Sequence, residues 1–213
     1  NPSSTKRLET RVGVKTAGGG WYGVTYRWNS AGTDASLLDE GETQDFQVIN
    51  AAGTPYTQKW EFPGRLDCRT CHNPAASGSL GLSVHQLNRD QFYPATGRTA
   101  NELHTFSALG MFADPLSTAE IAASPKAASS QDTGAPLEVR ARSYLDSNCA
   151  YCHQPGGVRA NFDARFTTPL FDSGMLFGRL VEPLTGGREA VVVPGSTATS
   201  VAYLRAHSAG QSY

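Results

Sequence analysis

Every cysteine of this 213-residue chain stands in one of two copies of the same short string: Cys68-Arg69-Thr70-Cys71-His72 and Cys149-Ala150-Tyr151-Cys152-His153. Two thiols three positions apart on one helical turn can reach the two vinyl groups of a single porphyrin and form thioethers. The adjacent histidine then lies beneath the iron and supplies its proximal nitrogen. The spacing therefore predicts two haem c groups. Cys68, Cys71, Cys149 and Cys152 are the expected thioether donors, and His72 and His153 the expected proximal iron ligands.

Three other chemistries use paired cysteines. Zinc would gather the four thiolates but would not require a histidine at the same offset in both copies. A redox dithiol of the thioredoxin kind leaves both histidines unexplained. Structural disulfides within each pair would close very short loops and constrain the unfolded chain little. Two copies that together use every cysteine favour haem.

Distal ligands are less determined. Beyond the two motifs the chain has His85, His104 and His207, and its methionines are Met111 and Met175. Met111 is the first choice for the first haem, because it follows a predicted helix after the motif and a sulfur ligand there raises the potential. His85 and His104 are the alternatives. For the second haem His207 is the first choice and Met175 the alternative. An open iron at that site would permit small-ligand or peroxide chemistry, with His207 or Glu182 as the acid or base.

The elements that must hold these groups divide the chain. Residues 1–62 read as antiparallel β structure. Trp21 to Trp28 is aromatic and β-branched, with Tyr22, Val24, Tyr26 and Trp28 on one face. Arg7 to Lys15 is its expected partner across Gly18-Gly19-Gly20. Asp45 to Asn50 and Thr57 to Phe62 form a second expected hairpin, turning through Ala51-Ala52-Gly53. The aromatic stripe reads first as sheet core, with Trp60 or Tyr26 against a haem edge as the functional alternative. Residues 63–125 form the first expected haem unit. It has a short helix from Leu66 to His72, another from Asn101 to Gly110, and a third capped by Ser117 with Glu120 three positions on. Residues 126–136 read as a linker. Residues 137–213 form the second unit, with a helix from Leu137 to Cys152, a short extended Val191-Val192-Val193 and a last helix from Ser200 to His207. The expected class is thus α+β: an N-terminal antiparallel β region followed by two mainly α-helical, loop-rich cytochrome c-like units.

Composition bounds the partners. The formal charge is −1 and no basic stripe is present, so nucleic acid is not an expected partner. No apolar run reaches transmembrane length. With 39% hydrophobic residues, 22 glycines and 12 prolines, the expected core is modest, and haem would supply apolar surface that the chain lacks. The sequence begins at Asn1 with no leader pattern and reads as a mature or excised piece. Covalent haem attachment of this type takes place outside the cytoplasm, so the expected location is periplasmic or extracellular in a bacterium.

The chain resembles bacterial dihaem c-type cytochrome modules, which occur alone or fused to secreted dehydrogenase-like domains. The resemblance rests on Trp21-Tyr22-Gly23 with Tyr26-Arg27-Trp28, Thr33-Asp34-Ala35, Trp60-Glu61-Phe62-Pro63 and Cys68-Arg69-Thr70-Cys71-His72-Asn73. It continues through Leu80-Gly81-Leu82, Gln86-Leu87-Asn88-Arg89, Asn101-Glu102-Leu103, Tyr144 to His153 and Val193-Pro194-Gly195. It implies electron transfer, not a reaction on a substrate, with a dehydrogenase donor or a cytochrome acceptor as redox partner. Such modules usually carry a Met-Pro-Pro-like segment after the Tyr-Leu-Arg stretch, whose methionine ligates the second iron. This sequence stops at Tyr213 without it. Truncation, a ligand role for His207, and a ligand from a neighbouring chain are the three ways to complete the site. Two further functional expectations stand beside electron transfer. One is a dihaem peroxidase or oxygenase with one open iron. The other is self-assembly of such modules into a conducting filament.

Overall fold

The aromatic run Trp21–Trp28 is the middle strand of the first sheet in the computed structural model, which describes residues 5–50, 52–184, 186 and 188–207. Strand β1 (Glu9–Lys15) pairs antiparallel with β2 (Trp21–Trp28), and β3 (Ala35–Leu38) lies on the other side of β2. The glycine turn between β1 and β2 closes through Gly19 N to Thr16 O at 2.9 Å. A second antiparallel pair, β4 (Glu42–Ile49) and β5 (Pro55–Phe62), forms the expected hairpin. Asn50 shapes its turn by accepting from the amides of Ala52 and Thr54; Ala51 lies outside the described residues.

Arg27 ties sheet to hairpin. Its guanidinium donates to Glu42 at 2.5 Å and Gln44 at 2.7 Å, and lies over the ring of buried Phe62. The predicted alternation along β2 is not clean. Val24 and Thr25 are both buried and Tyr22 is exposed, because β2 is covered on one side by the hairpin junction and on the other by a helix.

That helix is α1 (Arg65–Cys71), which carries the first motif. Asp67 starts it by accepting from the Gly64 amide at 2.9 Å. Four elements follow: α2 (Val84–Leu87), β6 (Asp90–Tyr93), β7 (Arg98–Asn101) and α3 (Glu102–Ala108). Asn101 caps α3 through the Leu103 amide. Next comes α4 (Thr118–Ala123), with the Ser117–Glu120 capping box the sequence predicts. Leu87, Leu103 and Ile121 make the core here, flanked by Phe106, Phe112 and Leu116. Residues 126–136 are pinned to both flanking regions: Ala127 N donates to His85 O and Ala128 N to Ser143 Oγ. Then α5 (Leu137–Cys149) delivers the second motif, and β8 (Arg179–Leu184), β9 (Arg188–Ala190) and α6 (Val201–His207) are the strands and the α-helix that follow it among the described residues.

The expectation of two mainly α-helical haem units is corrected. Antiparallel hairpins β6–β7 and β8–β9 lie inside the two regions, and of the six described helices only α5, with 13 residues, is longer than seven. The fold is mixed, with strands along its whole length. Glycine and proline are the reason. Gly97 turns β6 into β7 at φ +65°, Gly110 stops α3 at φ +70°, and Pro125 and Pro136 bracket the stretch before α5. Among the described residues no helix is long and apolar enough to cross a membrane.

Candidate haem-attachment sites

The two motifs fold into the same turn. The His72 amide donates to Cys68 O at 2.9 Å, and the His153 amide to Cys149 O at 2.8 Å. In each, one helical bond draws both cysteines and the histidine onto a single turn, as the spacing predicts. None of the four cysteines is in a disulfide.

Around the first motif the turn leans on β2. A Cβ at Gly23 would lie 2.7 Å from both Cβ and Sγ of Cys68, so only glycine lets the helix approach this closely. Cys68, Cys71 and His72 line a cavity of about 150 Å³ with Val12, Trp21, Tyr22 and Leu80. The loop after the motif curls back until the Gly78 carbonyl accepts from His72 Nδ1 at 2.7 Å. A carbonyl can only accept, so Nδ1 carries the proton and Nε2 is left bare, the tautomer a metal-ligating imidazole needs. Gly78 sits at φ +72°, and a Cβ there would run into the Trp21 indole.

Around the second motif the surroundings differ. Cys149 and His153 line a cavity of about 240 Å³ with Tyr144, Leu145, Phe162, Met175, Val191, Val201 and Arg205. His153 stacks on Phe162 with centroids 4.4 Å apart. Its Nδ1 is buried with no hydrogen-bond partner among the described residues. Burial, then the Arg205 charge, lowers its basicity. Burial raises the Cys149 thiol, and burial with the neighbouring Cys71 pushes Cys152 up to about 11. Such thiols stay protonated at neutral pH, the opposite of the depressed attacking thiol of a redox dithiol. Among the described residues no three His, Cys, Asp or Glu side chains converge as a metal-holding group.

The remaining candidates fall in different places. His85 is buried, donates through Nε2 to Asp146 Oδ2 at 2.7 Å and stacks on Phe166. Asp146 also accepts from the Phe166 amide at 2.8 Å, so the pair fastens α2 to α5 three residues before Cys149. His104 is exposed on α3. Met111 is 60% exposed beyond α3 and does not line the cavity of the first motif. His207 is exposed at the end of α6 against Tyr203, whereas Met175, 2% exposed, lines the same cavity as His153. Trp21 and Tyr22, not Tyr26 or Trp60, line the first cavity. Glu182 pairs with Arg159 on the surface.

At each place the donor set is two thiols and a histidine on one turn, beside partly exposed apolar side chains (Val12 and Tyr22 at the first, Tyr144 at the second), which suits a covalently held apolar group. Cavities of about 150 and 240 Å³ would have to widen around it, being smaller than the roughly 300–1,000 Å³ of ordinary ligand pockets. Gly78, Trp21 and Phe162 are contributors that the sequence reasoning missed. Asn73-Pro74 followed by Gly78 is a turn signal that could have found the first; nothing local marks Phe162. Comparison with protein-family models, with curated proteins and with solved structures finds no match.

Proposed function

We propose that this chain is a dihaem c-type cytochrome module that transfers electrons, of the bacterial family it resembles. The observation that carries the reading is the duplicate turn: two Cys-x-x-Cys-His strings, each with its histidine amide bonded back to the first cysteine. Cys68 and Cys71 would hold one haem with His72 beneath its iron, and Cys149 and Cys152 the other with His153. Each bound iron supplies one-electron ferric–ferrous chemistry. The chain's own work is to hold each imidazole by its surroundings, shield the apolar ring faces and fix the two centres relative to one another. Gly78 O fixes the tautomer of His72, and Phe162 fixes the ring plane of His153. Met175 is the buried sulfur available within the second cavity, which favours it over His207 as the distal ligand there. A redox protein is the proposed partner, and a compartment outside the cytoplasm the proposed location.

The test is an optical spectrum of the purified protein, oxidised and reduced, with and without carbon monoxide. A c-type α band worth two haems per chain, unmoved by carbon monoxide, is the expected result. Rapid carbon monoxide uptake by one haem would replace electron transfer with the open-iron enzyme. Absence of any c-type band would remove the haem reading altogether.

A further inference from the structure

The two motifs, 81 residues apart in sequence, touch. Cys71 Sγ and Cys152 Sγ are 3.6 Å apart, and Cys152 Sγ also lies 3.9 Å from Thr70 O. The contact extends past the thiols, since a Cβ at Gly156 would meet the Ala75 side chain at ordinary van der Waals distance. It is braced from one side. The buried His85–Asp146 pair, with Gln86 Nε2 donating to Asp146 and Ser147, locks the first region to the last turns of α5. The first thiol of each motif lies away from this seam. Cys68 Sγ donates to Gly64 O and abuts Gly23, while Cys149 lines the cavity with Met175 and Val201.

Resting on the dihaem reading, we infer that Cys71 and Cys152 fasten the two haems edge to edge across one shared seam, so that the pair behaves as a single coupled unit. The argument is one of connectivity. A thioether sulfur is separated from its porphyrin ring by one C–S and one C–C bond. With the sulfurs 3.6 Å apart, the two ring edges lie within about 10 Å, whatever the orientation of the rings, given bonds of roughly 1.5–1.8 Å. Cys71 and Cys152 would hold the thioether-bearing edges of both rings at this seam, and the braced contact between motifs would keep the two sulfurs together. The electron route between the centres then runs directly across the seam, with no side chain needed as a relay.

The experiment uses the wild-type holoprotein. Soret circular dichroism and low-temperature EPR are recorded on the fully oxidised protein, on a sample poised at half reduction, and on the fully reduced protein. The expected result is a bisignate Soret couplet when both haems share an oxidation state, and ferric EPR signals that are broadened in the fully oxidised sample and sharpen when one neighbour is reduced to a silent state. A single-signed Soret band, with an oxidised EPR spectrum that is a plain sum of two isolated signals unchanged by half reduction, would overturn the inference and leave the dihaem reading standing. Lack of a c-type α band in the same samples would remove both.

Discussion

The same five-residue turn is held in two unlike ways. The first motif sits on a seven-residue helix laid against a sheet, with Gly23 and Gly78 clearing the space and a carbonyl beneath the histidine. The second ends a 13-residue helix and is enclosed by side chains from loops and α6, with an aromatic ring beside the histidine and, among the described residues, no acceptor for its Nδ1. The turn itself is specified locally by one i to i−4 bond, so it needs little from its neighbours. What the neighbours set is the electronic environment of each imidazole.

The sharpest way to break this contrast is to damage one setting and leave the other alone. Gly78→Ala imposes a left-handed φ on a residue with a Cβ and drives that Cβ into Trp21. It should cost about 3 kcal/mol of stability, combining backbone strain with overpacking. Denaturant melts measure the loss, and under the dihaem proposal optical spectra of the variant should change for the first haem only. Equal disturbance of both haems would mean that the two settings are not independent. Asp146→Ala acts on the seam instead. It leaves His85 and the Phe166 amide buried without their acceptor, at a cost of about 2–3 kcal/mol. Melts that lose less than 1 kcal/mol would show that other contacts hold the two regions together.

How far the sequence disclosed this molecule follows from where each signal resides. The motif turns, the β1–β2 and β4–β5 hairpins and the Ser117 cap depend on neighbours within a few residues, and all were legible. Gln86-Leu87-Asn88-Arg89 and Asn101-Glu102-Leu103 stood out only as part of a resemblance. The structure gives them physical content: Asn101 donates to Asn88, Asn88 donates to the carbonyls of Ile121 and Ser124, and Arg89 pairs with Glu102. The β6–β7 and β8–β9 strands escaped notice because they are only three to six residues long. Such short segments carry too few alternations to reveal a period. The His85–Asp146 brace and the Cys71–Cys152 contact join residues 61 and 81 positions apart. No local pattern encodes such a pair, so His85 looked like a spare ligand when read along the chain.

A smaller effect sharpens the electronic side of the comparison. An imidazole whose Nδ1–H donates to a carbonyl is a better electron donor to iron and favours the ferric state. His72 has that bond, and His153 finds no such acceptor among the described residues. Burial and the Arg205 charge disfavour positive charge at His153, and on the dihaem proposal they would also disfavour the ferric state of an iron held by it. Under the dihaem proposal, and with like distal ligands, the second haem should titrate at the higher potential. Arg205→Gln should lower that upper midpoint by an amount on the order of tens of millivolts, the scale of one partly screened charge, and leave the lower midpoint in place. Spectroelectrochemical titration reads both. Movement of the lower midpoint instead would reverse the assignment.

The smallest expected effect is a pH dependence confined to the second region. Asp163 follows the second motif, and the next residue, Ala164, donates its amide to His153 O at 2.8 Å. Burial pulls the Asp163 carboxyl upward. Bonds from Nε and Nη2 of the Arg165 side chain, one from its amide and one from the Thr168 hydroxyl outweigh that and hold it below the ordinary carboxylate range. A depressed folded-state value means that the ionised form stabilises the fold. The contribution is complete above the unfolded carboxylate value, about 4, and is lost as pH falls through the lower folded value. Asp163→Asn should therefore be less stable than wild type at pH 7, with the two stability curves converging as the pH drops below about 4. Thermal melts from pH 7 down to pH 3 follow the convergence. A gap that stayed constant over that range would mean that Asp163 acts through its shape and neutral hydrogen bonds rather than its charge, and the second histidine's backbone would then be anchored without help from ionisation.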